Sequence, residues 1–175
     1  TYGNGTISGG LGGPNGQIGI DLLNASNSPA RGTSPYFTLN DNGDGDAGGN
    51  GLLNFPVLET ATISVTSLTM TGWARPGSAI ELFIAAPDPS GFGEGQTYLT
   101  TVTEGTGADL DATTGPYAGP INGVNQGTDN TNRFRFTIPV PVGLNPGMRL
   151  TATATVALAT SEFSGVVLVG GATRT

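Results

Sequence analysis

The chain has 175 residues, a formal net charge of −7 and only 11% charged residues, while glycine (30 residues) and proline (12 residues) are abundant. It lacks cysteine, histidine and lysine, which excludes thiol and imidazole catalysis, Schiff-base chemistry, the usual zinc ligands and phosphate-binding lysines. The acidic charge argues against nucleic-acid binding, and the absence of an apolar run of about 18 residues argues against membrane insertion. This composition favours short strands joined by turns.

Residues 1–53 are predicted to form an extended leading segment, rich in Gly and Asn, that ends in an acidic loop. Its first part has too few apolar residues to form a core alone. The stretch "GQIGIDLL" places Ile18, Ile20 and Leu22 at period-2 spacing, which is typical of a strand that pairs with a sheet edge. Its partner would be a preceding coil of a longer protein or the open sheet edge of a neighbouring copy, and the second contact would build filaments.

The acidic loop has the sequence "NDNGDGDAGGNG" at residues 40–51. It does not match a dinucleotide-binding turn, which needs a strand before it and a helix after it. It also does not match an EF-hand: counted from Asn42, the twelfth position is Leu53, where an EF-hand has Glu. Closely spaced carboxylates on a glycine-rich backbone are nevertheless ligands that suit Ca²⁺. We predict calcium binding by Asp41, Asp44, Asp46 and Asn50; the alternative is a solvated linker in which Asp and Gly only favour turns.

Residues 54–175 are predicted to form an antiparallel immunoglobulin-like β-sandwich of about seven strands, with a long loop at 104–132. In "RFRFTI", Phe134 and Phe136 alternate with arginines, so this strand has one buried face. The strand "AIELFIAA" alternates in the same way. Its Phe83 lies on the opposite face and is expected to cover a second apolar surface.

Three further acidic residues are candidate metal ligands. Asp88 and Glu94 share the loop "PDPSGFGEGQ", which would supply a second cation site or an outer ligand to the first. Glu162, in "ATSEFSG", would reach a cation at a domain junction. The alternative is that Asp88 and Glu94 only solvate a turn and that Glu162 only faces water.

Several of these motifs together resemble a known type of domain. The pattern "ND", then "D.D.G.N.L.NFPVL", then "DPSGFGEGQTYL", and finally "TATA" with "TSEFS" is similar to a domain repeated in large bacterial secreted and surface proteins. The resemblance covers residues 18–164. It implies an immunoglobulin-like sandwich that often follows a right-handed parallel β-helix, with the acidic turn at the join, and it implies an extracellular structural or adhesive role.

The function expected from the sequence is therefore a non-enzymatic, secreted or cell-surface structural module of a bacterial assembly. It would be stabilised by calcium, would contact neighbouring copies or domains, and would form filaments by addition of its N-terminal strand. The alternative is a carbohydrate- or surface-binding module of a larger secreted protein, in which exposed aromatics such as Tyr98 and Tyr117 would contact a glycan. An enzyme is not expected, because the nearest carboxylate pair, Asp109 and Asp111, lies in an irregular loop without an aromatic platform.

Overall fold

The secondary structure is all β, apart from a short 3-10 turn at Gly49–Leu52. The computed structural model describes residues 18–29, 33, 36–86, 91–92, 94–121, 124–125 and 129–171. Its strands are β1 (Val57–Ser64), β2 (Ser67–Ala74), β3 (Ala79–Ala86), β4 (Glu94–Thr103), β5 (Thr114–Tyr117), β6 (Pro120–Ile121), β7 (Val124–Asn125), β8 (Asp129–Pro139), β9 (Arg149–Val156), β10 (Ala159–Thr160) and β11 (Val167–Gly171).

Most of these strands form one sheet, in the order β4-β3-β9-β11-β1-β2-β8-β5, with β10 paired to β9. Strands β6 and β7 form a separate two-stranded sheet. The seven predicted strands are present as β1, β2, β3, β4, β8, β9 and β11. The four shorter strands were not predicted.

Strand β11 connects the two halves of the sheet. Its Val167 and Leu168 pair antiparallel with β9, whereas Ala61 of β1 pairs in parallel with Val169. The sheet is therefore mixed, and the prediction of a purely antiparallel arrangement is wrong at this pair. Alternation within one strand does not specify the direction of its neighbour, because parallel and antiparallel strands share the same period of two.

The sheet curls so that both halves contribute to one apolar core. Leu68 and Phe134 come from one half, Ile80 and Leu150 from the other, and all four are at most 1% exposed. The predicted alternation of β8 is confirmed, since Phe134 and Phe136 are buried on the same face. Gly72 allows β1, β2 and β8 to approach closely: a Cβ atom there would lie 2.1 Å from the carbonyl oxygen of Val57.

The second apolar surface predicted for Phe83 is also present. Its ring meets the rings of Phe163 and Tyr98 edge-on, with centroids 5.4 and 5.7 Å apart. Gly95 lies beneath these rings, where a Cβ atom would lie 2.8 Å from Phe163. This surface lies on the face of β3 opposite the core.

The predicted long loop at 104–132 contains β5, β6, β7 and the start of β8. Strand β5 pairs with β8 and extends the sheet by one strand. Asp109 fixes the turn before it, because its carboxylate accepts backbone N–H groups from Gly105 (3.1 Å), Asp111 (3.1 Å) and Arg135 (2.9 Å). A carboxylate held in this way organises the turn.

Candidate functional site: the acidic loop and the buried junction

The acidic loop follows a tightly wound backbone. Gly43, Asp44, Asn50, Gly51 and Leu52 all have positive φ angles. Gly, Asp and Asn adopt this left-handed conformation readily, but a buried leucine seldom does. Leu52 has φ 53° and is 4% exposed, so packing of its side chain holds the backbone in a strained conformation.

Two buried asparagines hold the ends of this loop together. The side chain of Asn54 accepts a hydrogen bond from the N–H of Asp41 (3.1 Å) and donates one to the carbonyl oxygen of the same residue (2.7 Å). The side chain of Asn40 makes the same pair of bonds with the backbone of Phe55, at 3.1 and 2.9 Å. Each amide therefore pairs with the backbone as a neighbouring strand would. These two residues were not predicted as site residues, although both belong to the motif that carries the resemblance.

The three aspartates of the loop differ in their surroundings. Asp44 accepts the N–H of Asn54 at 2.7 Å, and its second oxygen lies 4.0 Å from Nε of Arg75. Asp41 accepts the N–H of Gly45 through Oδ2 at 3.4 Å, and its Oδ1 is buried without a hydrogen-bond partner among the described residues. Asp46 is exposed.

The electrostatics of the loop favour a bound positive charge. Burial raises the pKa of the Asp44 carboxyl above its ordinary value, opposed by the N–H of Asn54 and the charge of Arg75; Asp41 and Asp46 add to the rise. The three carboxylates are thus close enough to repel one another. Arg75 already supplies part of the compensating charge.

The loop fits a calcium ion only in part. Within the described residues, no three acidic side chains are grouped so that they coordinate one metal ion together. Asp41 Oδ1 is a free, buried ligand atom, but Asp44 uses one oxygen for a backbone N–H group. Binding of Ca²⁺ would therefore require Asp44 and Asp46 to turn toward Asp41.

The other predicted ligands lie in separate places. Asn50 donates its side-chain N–H to the carbonyl oxygen of Thr160 at 2.9 Å, which joins the loop to β10. Glu94 is buried at the start of β4, opposite Ala86. Asp88 lies outside the described residues. The structure does not bring Glu94 or Glu162 together with the loop aspartates as one group of ligands.

Glu162 instead anchors the leading segment. Its side chain is 2% exposed, and its two oxygens accept the backbone N–H groups of Leu22 (2.7 Å) and Thr38 (2.6 Å). These partners precede it by 140 and 124 residues. Each of its oxygens thus accepts one backbone N–H group, and its role as a metal ligand stays a prediction.

Burial raises the pKa of Glu162 to about 7, and the neighbouring Asp21 carboxylate acts in the same direction, while the N–H groups of Thr38 and Leu22 oppose the rise. Loss of hydration is the largest of these effects, because a carboxylate removed from water is disfavoured relative to its neutral form. The anchor therefore changes its charge near neutral pH.

An aromatic cluster completes the junction between the leading segment and the sheet. Phe37 stacks on Phe92 at 3.8 Å, and Phe55 meets Phe92 edge-on at 5.6 Å. Ile18 and Val57 are buried in the same cluster. The strand predicted around Ile18, Ile20 and Leu22 is not formed in the described residues 18–23, but Ile18 does find an apolar partner within its own chain.

Trp73 lies at the rim of this cluster, on the outer face of β2. Its Nε1–H donates to Glu59 at 2.9 Å, and the guanidinium of Arg133 lies 5.1 Å from the centre of its ring. Arg133 also forms ion pairs with Glu59 and Asp111. Tyr117 is near Trp73, at 6.1 Å between ring centroids, whereas Tyr98 is 55% exposed elsewhere on the sheet.

No protein-family model matches this chain, and the search of curated proteins also found no match. The resemblance to bacterial surface domains thus stays a prediction. In the part of the chain that the structure describes, no helix is long and apolar enough to cross a membrane.

Proposed function

We propose that this chain is a non-enzymatic structural module of a bacterial extracellular surface assembly. It joins neighbouring copies or domains through its leading segment, and calcium at the acidic loop stabilises it. The β-sheet forms an immunoglobulin-like sandwich in this proposal. The observation that carries it is the junction: a buried carboxylate and an aromatic cluster hold residues from the leading segment on the sheet.

The junction supports a structural role because of how its polar groups are used. Glu162, Asn40 and Asn54 are at most 4% exposed, and each bonds the backbone of another part of the chain, between 13 and 140 residues away. A buried polar group is costly unless it is satisfied, so these bonds permit one alignment of the leading segment on the sheet. A fixed alignment is what a joint between successive modules requires.

Calcium remains part of the proposal because Asp41 offers an unused oxygen beside two further carboxylates. The ion would be held by Asp41, Asp44 and Asp46. It would offset the mutual repulsion of these carboxylates and so stabilise the loop.

The calcium prediction is tested by thermal unfolding of the whole chain with and without a chelator. A ligand that binds only the folded state stabilises it by about 2.7 kcal/mol at a hundredfold excess over its Kd. For a chain of this length, this corresponds to a fall in Tm of about 5 to 10 °C on chelation. Asp41→Asn should abolish the difference, whereas Glu59→Gln, on an exposed part of β1, should retain it. Identical melting curves in both conditions, with no metal found by elemental analysis, would exclude calcium.

The structural role is tested by the state of association of the whole chain. We expect polymers in electron micrographs and in sedimentation profiles at high protein concentration. A chain that stays monomeric under these conditions, with and without calcium, contradicts the proposal of a self-associating module.

A further inference from the structure

A groove separates the first half of β1 from the residues that lead into β11. It encloses about 370 Å³. Its lining residues are Val57, Leu58 and Glu59 on one side, Gly165, Val166, Val167 and Leu168 on the other, with Tyr117 and Pro120 at the rim. The groove lies where the two strands diverge, because their pairing starts only at Ala61 and Val169.

Backbone edges face each other across this groove. On one side, β1 is bonded to β2 along its length, but between residues 57 and 60 its other edge has no ladder partner among the described residues. On the other side, Val167 and Leu168 pair with β9, and the N–H of Val166 donates to Gly91, so their known bonds point to other elements. An unpaired backbone edge in a partly buried groove is a template for an added strand.

The chemistry of the groove favours an extended, uncharged peptide. Because neighbouring strands bond through their backbone edges, an extended strand that entered the groove would pair with the free backbone groups of β1. Leu168 is 61% exposed here and offers an apolar contact. Among the lining residues that the structure describes, Glu59 is the only charged one, and both of its oxygens are already engaged, by Trp73 and Arg133.

We propose that residues 1–17 of a second copy of this chain bind in the groove as an added β-strand. These residues lie outside the described part of the chain, and their sequence contains no charged side chain and is rich in small glycines. Fully extended, 17 residues span about 55 Å, which is enough to reach a neighbouring molecule. The inference rests on the proposed function, because only a contact between different copies propagates into a polymer.

The chain has no cysteine, so single cysteines report this contact without interference. One preparation carries Ile7→Cys and the other Leu168→Cys; the two are mixed, allowed to associate and oxidised. We expect a disulfide-linked dimer of the two variants, at least about tenfold more abundant than with Leu158→Cys. Leu158 is the matched control, because it is 98% exposed in the turn between β9 and β10, outside the groove. Leu11→Cys provides a second position if the strand binds in another register.

A substitution in the groove gives an independent readout. Leu168→Asp should reduce polymer yield by about tenfold, because each tenfold change in affinity needs only about 1.4 kcal/mol and the added strand would bury the new charge. Leu158→Asp should leave the yield unchanged. Circular dichroism and the melting temperature show whether either variant still folds.

The outcomes separate this inference from the proposed function. Polymers that form without the Ile7–Leu168 or Leu11–Leu168 link, and that are unaffected by Leu168→Asp, overturn the groove as the acceptor and leave the structural role standing. A third preparation carries Ile7→Cys and Leu168→Cys in the same chain and is oxidised at high dilution. If the disulfide forms only within these single chains, each copy fills its own groove, and the inference is also overturned. Absence of any polymer contradicts the proposed function itself.

Discussion

The anchor at Glu162 gives the sharpest quantitative prediction, because its protonation is linked to folding. Burial raises its pKa to about 7 in the folded protein, above the value of 4.5 for an unperturbed glutamate. The folded state therefore binds this proton more tightly than the unfolded state. The stabilisation is fully present below a pH of about 4.5 and is lost as the pH rises through about 7.

The magnitude follows from the difference between the two pKa values. One pKa unit corresponds to about 1.4 kcal/mol, so the full effect is about 3 kcal/mol, and most of it develops between about pH 5 and pH 8. Asp21 and Asp44 also have raised pKa values and add to the pH dependence of the wild type. A variant that lacks only the Glu162 charge is therefore needed as the reference.

Glu162→Gln keeps the shape of the side chain and removes its titration. The variant should be less stable than the wild type at low pH, because the NH2 group of its amide cannot accept an N–H group, whereas the hydroxyl oxygen of the protonated Glu162 carboxyl still can. The difference in the free energy of unfolding between the wild type and the variant should narrow as the pH rises, because the ionised Glu162 of the wild type is destabilised by its burial. Urea unfolding in chelator at a series of pH values measures this gap. A gap that stays constant, or widens with rising pH, refutes the assignment of the raised pKa.

Hydrogen exchange locates the same effect in the structure. Glu162→Gln should increase exchange at residues 18–40, because it loosens the attachment of the leading segment. Glu104→Gln is the matched control: Glu104 is also 2% exposed, and it accepts bonds from Gly77 and Asn132, neither of which belongs to residues 18–40. Equal exchange at residues 18–40 in both variants would contradict the role of Glu162 as the anchor.

Two other variants test the loop and the core. Asn54→Ala removes both bonds to Asp41 and should lower the free energy of unfolding by about 2 kcal/mol, measured by urea unfolding. A change near zero would show that the loop closes without this amide. Gly72→Ala should lower the free energy of unfolding by about 3 kcal/mol, because the new methyl group would overlap the Val57 carbonyl oxygen and the Phe134 ring. Gly45→Ala should lower it far less, because its new methyl group would have no atom within 4 Å. Equal costs at both glycines would contradict the close approach of β1 and β2.

The sequence predicts the strands well because each strand depends on a local pattern. Alternation in β3 and β8 identifies their buried faces, and it also identifies Phe83 as the residue that covers a second surface. The order and direction of the strands depend instead on contacts between distant residues. The parallel pairing of β1 with β11 and the added strand β5 are of this kind, since no local signal specifies which strand becomes a neighbour.

The candidate site is less accessible from the sequence for a related reason. A side-chain oxygen in a sequence is chemically the same whether it binds an ion or a backbone N–H group, so the sequence predicts Glu162 and Asn50 as ligands but does not reveal the hydrogen bonds that both residues make to distant backbone. Their partners, Leu22, Thr38 and Thr160, are more than 100 residues away in the chain. The asparagines Asn40 and Asn54 act over a shorter separation, but only the folded loop shows that each one pairs with backbone like a strand.

The polar character of the junction bears on what the leading segment does. An apolar contact tolerates sliding, because burial of area is not directional. A carboxyl group that accepts two N–H groups from residues 22 and 38 loses both bonds if the segment shifts by one residue, and an unsatisfied buried polar group then remains. The junction therefore specifies the position of residue 18 on the sheet, next to Val57 and the groove.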